Sequence, residues 1–169
     1  MNDEEPDFIE SLGPAFTAHL LRRISDELVQ ADKLWHAQQG IANPPRASST
    51  LLALDQKEPL SMTEIATLLR QSHQLIQQWV RELEKKGLAE ISPDPADRRR
   101  SIIALTALGK EQAAELREAI APAERATLAL LEEVSPDLYA SLWALEHRLR
   151  DQPMIGRIRA SAQSLPVKK

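Results

Sequence analysis

Between Ser61 and Thr106 local signals leave the chain little choice of conformation. Ser61 with Glu64 three residues on is a capping box, in which a hydroxyl and a carboxylate satisfy backbone N–H groups that a helix start leaves orphaned. It predicts a helix over Met62 to Leu69. Ser72 follows after only Arg70 and Gln71, and is a second N-cap; the helix it opens runs to Lys86 and stops at Gly87. Placed at 100° per residue, Leu75, Ile76, Trp79, Val80 and Leu83 share one arc of that helix. His73, Gln74, Gln77, Gln78, Arg81 and Lys85 gather opposite, with Glu84 at the edge. Beyond Gly87, Leu88 to Ile91 and Ser101 to Leu105 are rich in aliphatic and β-branched residues and read as short strands. They flank the loop Pro93-Asp94-Pro95-Ala96-Asp97-Arg98-Arg99-Arg100.

Charge separates this stretch from its surroundings. The net charge of −4 argues at first against a polyanionic partner. Residues 1–69 carry 5 Lys/Arg against 11 Asp/Glu, residues 70–100 carry 7 against 5, and residues 101–169 balance at 9 against 9. The positive excess therefore sits on the second capped helix and the loop, and local charge is what a phosphate feels within a Debye length. Zero cysteines removes disulfide scaffolds, thiolate metal sites and thiol redox sensing. No apolar run is long enough to span a bilayer, and the acidic start MNDEEPDFIE is unlike a secretory leader. A cytoplasmic protein is expected, with no membrane association.

The flanks are helical. From Pro14 to Gln39, Phe16, Leu20, Ile24, Leu28, Ala31 and Trp35 recur at spacings of three or four, between a Gly13-Pro14 start and a Gly40 stop. At about 1.5 Å per residue such a helix is on the order of 40 Å long, more than a small domain needs, and predicts packing on a partner. Phe8, Ile9 and Leu12 form a short turn before it. Asn43-Pro44-Pro45 breaks the chain, and Arg46 to Gln56 is a helix whose Leu51, Leu52 and Leu54 face a core. After Thr106 the periodicity resumes through Leu108, Leu116, Ile120, Leu128 and Leu131, and Pro122 should kink this helix or divide it. Ser135-Pro136 reads as a cap and first helical position for a helix through Leu138, Leu142, Leu145 and Leu149; Met154 to Ser164 is a weaker last helix.

Glutamine offers a donor and an acceptor side by side, which matches the N6/N7 edge of adenine in the major groove. Arg81 and Lys85, further along, are placed for phosphate. On the wheel alone a solvated helix face accounts for these residues equally well. The neighbours decide. Two capped helices joined by a tight turn form a helix-turn-helix, and a hairpin whose tip carries Arg98, Arg99 and Arg100 against only Asp94 and Asp97 is a wing. A wing arginine can enter a narrow minor groove, where negative potential is enhanced; a charge-protected edge hairpin is the competing account. The fold class expected is mainly α with a small β-hairpin wing. A winged helix-turn-helix domain would cover residues 45–106, with N- and C-terminal dimerisation helices over 8–40 and 107–165.

The run LEKKGL (Leu83 to Leu88), followed by Asp97-Arg98-Arg99-Arg100 and by Leu105-Thr106-x-x-Gly109, resembles the MarR family of bacterial transcription regulators, and the likeness extends from about Leu12 to Leu149. The resemblance implies a homodimer in which the first helix and the last two interlock, with two winged modules on a palindromic double-stranded DNA operator. It makes the helix from Ser72 the recognition helix, with Ser72, His73, Gln74, Gln77, Gln78 and Arg81 as its DNA-facing residues. It makes Arg99 the minor-groove residue between Arg98 and Arg100, and Asp97 the residue that orients the wing arginines. Gln71 stands where the family more often has an apolar residue, and His73 where a basic or small residue is common, so the operator read should differ.

The expected function is a sequence-specific DNA-binding transcription regulator, a ligand-responsive repressor; the alternative is a winged-helix module for protein–protein contact without DNA. Neither a nucleophile–base pairing nor a glycine-rich phosphate loop is present, so no enzyme and no cofactor are expected. The four histidines are scattered without ligand spacing, so no metal is expected either. His19, Trp35 and His36, on the presumed dimerisation helix, are candidates for lining a pocket for a small aromatic or phenolic ligand. Core or dimer packing is the commoner role for such residues, as for Trp79 and Trp143.

Overall fold

A computed structural model describes residues 7–164. The described residues form eight helices and three strands in the order α1 (Phe8–Ser11), α2 (Thr17–Gln38), α3 (Ser48–Lys57), β1 (Leu60–Ser61), α4 (Met62–Leu69), α5 (His73–Lys85), β2 (Ala89–Pro93), β3 (Ser101–Leu105), α6 (Ala107–Val134), α7 (Leu138–Asp151) and α8 (Met154–Ser164). Short 3-10 turns at Pro14–Phe16 and Pro45–Ala47 lead into α2 and α3. The chain divides into two compact units, Met1–Ile120 and Ala121–Lys169. The expected end of the C-terminal helical region, residue 165, lies just outside the described residues.

The first unit is built on one core. Leu51 and Leu54 of α3, Ile65 of α4, Ile76, Val80 and Leu83 of α5, Leu88 and Ile103 are fully buried together. Each such side chain contributes about 1.5–3 kcal/mol of burial. The sheet has three strands in the order β1–β3–β2, with Ile91 opposite Ile103 and Leu60 on the other side of Ile103. Sequence reading anticipated the hairpin but not β1, because two residues carry no periodicity to detect. It also began the first wing strand at Leu88. That residue instead belongs to the helix stop: Gly87, at φ 71°, donates to the Glu84 carbonyl at 2.8 Å, and Leu88 N–H reaches back to the Leu83 carbonyl at 2.9 Å. This pairing is the Schellman arrangement, and Leu83 and Leu88 bury the apolar contact that accompanies it.

The start of α6 completes the same core. Its buried residues, Gly109, Gln112, Ala113, Leu116 and Ala119, all precede Ala121. Residues 107–120 therefore pack within the first unit. The expected division at Pro122 does not occur, since α6 runs unbroken to Val134. A proline removes one N–H from the helix ladder. The carbonyl that loses its partner is that of Glu118, four residues back; next to it, the Ala119 carbonyl accepts from outside the helix, from the Trp35 indole N–H at 3.0 Å. Ser135-Pro136 does not cap α7 as expected: the N-cap is Asp137, and the Ser135 carbonyl accepts from Leu138 N–H at 3.0 Å. In the second unit α7 and α8 have no buried residues, and Tyr139, Leu142, Trp143, Leu145, Leu149, Ile155 and Ile158 are exposed.

Candidate nucleic-acid interface

The two helices expected after Ser61 and Ser72 both form, and each begins as its cap dictates. At α4 the Ser61 hydroxyl accepts from Glu64 N–H at 3.3 Å, while Glu64 Oε2 accepts from Ser61 N–H at 2.7 Å and from its hydroxyl at 2.6 Å. At α5 the Ser72 hydroxyl accepts from Leu75 N–H at 3.2 Å. The turn between them is made at Arg70, which sits in the left-handed region at φ 52°. Ile76, Trp79, Val80 and Leu83 fix α5 to the core, so its rotation is set and the opposite arc must face outward. His73, Gln74, Gln77, Gln78, Arg81 and Lys85 are all exposed.

The exposed arc is not uniform. Gln78 Nε2 donates to Glu82 Oε1 at 3.3 Å along the helix. Gln74 and Gln77 have no side-chain hydrogen bond among the described residues, so both faces of each amide are open to a base edge. These two line a shallow concavity with Gln78, Arg81, Glu82 and Lys85. Glu82 was not singled out in the sequence; its i, i+4 spacing from Gln78 was the available signal.

The wing is a closed loop. Arg100 N–H donates to the Asp97 carbonyl at 2.9 Å, and Asp94 N–H donates to the Arg100 carbonyl at 3.0 Å. Asp94 Oδ1 accepts from Ala96 N–H at 2.8 Å, and Asp97 Oδ1 from Arg99 N–H at 3.0 Å. Asp97 thus shapes the backbone under Arg99, its carboxylate meeting the main chain rather than a guanidinium. The three arginines are not equivalent. Arg100 lies 3.3 Å from Glu64 and 4.0 Å from Asp94, so the expectation of three arginines facing two acids needs correction: Glu64 supplies a third acid from 36 residues away. Arg98 and Arg99 are exposed and form no ion pair among the described residues. Hydrogen bonds from Ser61 hold the Glu64 carboxyl below the usual glutamate range against the opposing effect of burial, and the nearby Arg100 adds to the lowering.

The joint behind the wing explains the Leu-Thr-x-x-Gly spacing. Thr106 N–H donates to the Leu88 carbonyl at 3.1 Å, its hydroxyl donates to the Gly87 carbonyl at 2.6 Å, and the same oxygen accepts from Gly109 N–H at 3.0 Å. The Leu88 carbonyl presses so closely on α6 that a Cβ at position 109 would overlap it. Only glycine fits there.

The three residues expected near a ligand pocket are separated in character. His19 is exposed on α2. Trp35 packs against the core while bonding Ala119, and His36 is buried with Nδ1 3.0 Å from the Asn43 carbonyl. A concavity of about 850 Å³ on the N-terminal helices is lined by other residues, among them Phe16, Leu20, Ile24 and the Asp7–Arg23 ion pair at 2.6 Å. Among the described residues no helix is long and apolar enough to cross a membrane, and no group of three or more His, Asp or Glu is placed to hold a metal ion.

A sequence profile described as the MarR family matches residues 44–100. No curated protein matches the chain. Among solved structures, the chain is similar to the Staphylococcus aureus MepR–DNA complex, at 27% identity over 78% of this chain and 97% of that one, with a TM-score of 0.65. It is also similar to the transcriptional repressor CouR bound to a 23-mer DNA duplex, at 26% identity over 76% and 91%, with a TM-score of 0.63. The PcaV transcriptional regulator from Streptomyces coelicolor in complex with its natural ligand matches at 27% identity over 80% and 92%, with a TM-score of 0.60.

Proposed function

We propose that this chain, a MarR-family winged helix-turn-helix transcription regulator and not an enzyme, acts in the cytoplasm as a homodimeric repressor on a palindromic DNA operator. The observation that carries the reading is the pairing, in one core-packed unit, of open glutamine amides on α5 with unpaired arginines on the wing. Gln74 and Gln77 would choose bases in the major groove, and Arg81 and Lys85 would take phosphate. Arg99, with Arg98 beside it, would supply grip from the minor groove. MepR and CouR, both similar along most of this chain, are seen with DNA. Dimerisation is supported by the apolar side chains that a single chain leaves exposed, Phe16, Leu20, Leu21, Ile24 and Leu28 on one side of the sequence and Leu142, Trp143, Leu145 and Leu149 on the other.

Selection of bound duplexes from a random library should enrich a palindrome with half-sites about one helical turn apart, roughly 34 Å or 10 bp. On that duplex Arg99→Ala is expected to weaken binding to all sequences alike. Gln77→Ala should instead relax discrimination at particular bases, by about 1–3 kcal/mol. Wild-type affinity in both variants would overturn the assignment. PcaV is seen with its natural ligand, and the same regulation here would have a small aromatic or phenolic molecule lower the affinity for DNA. Release of the enriched duplex by members of an aromatic acid panel tests this; no release by any of them would remove that part of the reading.

A further inference from the structure

Arg100 stands apart from its neighbours, because both its backbone and its side chain are already engaged. Its N–H and carbonyl close the wing loop on Asp97 and Asp94. Its guanidinium spans from Asp94, at the base of the loop, to Glu64, one turn into the first helix of the reading element. Glu64 is itself anchored, since the same Oε2 that meets Arg100 accepts both the N–H and the hydroxyl of Ser61. Ser61 in turn pairs with Ile102 across the sheet, two residues from Arg100. Wing, sheet and helix start are thus joined at one carboxylate.

We propose that Arg100 is a positioning residue for the wing rather than a DNA contact: held by Glu64 and Asp94, it fixes the loop that presents Arg98 and Arg99. This rests on the DNA-reading function proposed above. A guanidinium suits the role because its planar fork can address two carboxylates at once. Arg100 and Glu64 are each about half exposed, so their bridge adds little to global stability. Its effect lies elsewhere. A loop held in place before binding does not have to be ordered on binding, and ordering even one or two long side chains costs affinity. The bridge also keeps one of three arginines off the DNA, leaving grip to the two whose guanidinium groups are unpaired.

The test is a double-mutant cycle with Arg100→Gln and Glu64→Gln, because glutamine at position 64 keeps a side chain able to serve the capping box while removing the charge. The probe is a duplex enriched by wild-type protein from a random library. Each single variant should bind it on the order of 3- to 10-fold more weakly, and the double variant no more weakly than either single. Without DNA, amide exchange at residues 94–100 should be faster in both variants, while melting temperatures stay near that of wild type. If Glu64→Gln binds as tightly as wild type or tighter while Arg100→Gln binds more weakly, Arg100 grips DNA itself and the proposal falls. Unchanged exchange in the loop would sink it equally. If wild type enriches no duplex, the DNA-reading function fails instead, and the exchange measurement still decides whether the bridge holds the wing.

Discussion

Gly109→Ala sets two well-known effects against each other, and the fold says which one wins. Alanine in a helix interior is favoured over glycine by about 0.8–1 kcal/mol. At position 109, however, the new Cβ would fall inside the Leu88 carbonyl, and would also approach Leu105 Cβ to 3.3 Å. The carbonyl cannot swing aside. It accepts from Thr106 N–H at 3.1 Å, and Leu88 N–H is tied to Leu83 at 2.9 Å. Relief therefore requires α6 to move off the Gly87–Leu88 turn, straining the two hydrogen bonds of the Thr106 hydroxyl and loosening Ala113 and Leu116. Overpacking of this kind costs about 1–3 kcal/mol and each hydrogen bond lost about 1 kcal/mol, so the net expectation is a loss of about 2–4 kcal/mol after the helix gain. Gly156 in α8 is the control: nothing lies within 4 Å of its Cβ direction, and alanine there should be neutral or stabilising by up to about 1 kcal/mol. Guanidinium denaturation at one fixed protein concentration reads both, since association would otherwise shift the midpoints. If Gly109→Ala unfolds at or above the wild-type midpoint, the close approach does not constrain the joint and the reasoning is refuted.

Acid should weaken the first unit partly through Glu58. Burial raises its pKa, but the Lys110 ammonium at 2.6 Å and the Leu105 N–H at 2.7 Å outweigh that and hold it below the ordinary 4.5. A depressed carboxyl stabilises fully above its unfolded value and loses that contribution as pH falls through the folded one, so stability should decline below about pH 4.5. Glu58→Gln should flatten this part of a pH series of denaturation midpoints; an unchanged slope would exclude the bridge as its source. Trp35→Phe keeps the ring but removes the donor to Ala119, and should cost about 1 kcal/mol in the same assay. A variant as stable as wild type would mean that the Ala119 carbonyl gains nothing from this outside partner.

What was legible in the sequence was what local chemistry encodes. Ser61 and Glu64 announced a capping box because its partners are three residues apart, and Ser72 and Gly87 bounded α5 for the same reason. The rotation of α5 followed from its apolar arc, and Ile76, Trp79, Val80 and Leu83 are buried as that arc requires. Relations across the chain were not legible. Arg100 finds Glu64 only when the sheet brings residues 36 apart together, so counting acids within the loop could not reveal this third acid. Leu105-Thr106-x-x-Gly109 was visible as a pattern, but its cause, a carbonyl 21 residues upstream pressing on Gly109, requires the fold. Ser135-Pro136 misled, and Pro122 does not divide its helix, because a proline signal is local, whereas the length of α6 and the start of α7 are settled by their surroundings.

The central claim is that two copies of the winged module, paired at a fixed spacing, read one palindrome. It is tested most directly by titrating the enriched duplex at protein concentrations above the dissociation constant, then repeating the titration with about half a helical turn, roughly 5 bp, inserted between the half-sites. The expected result is saturation at two chains per duplex and a loss of at least tenfold in affinity on insertion, because one half-site is rotated to the far side of the DNA. Saturation at one chain, or an affinity indifferent to the insertion, would contradict a paired reader.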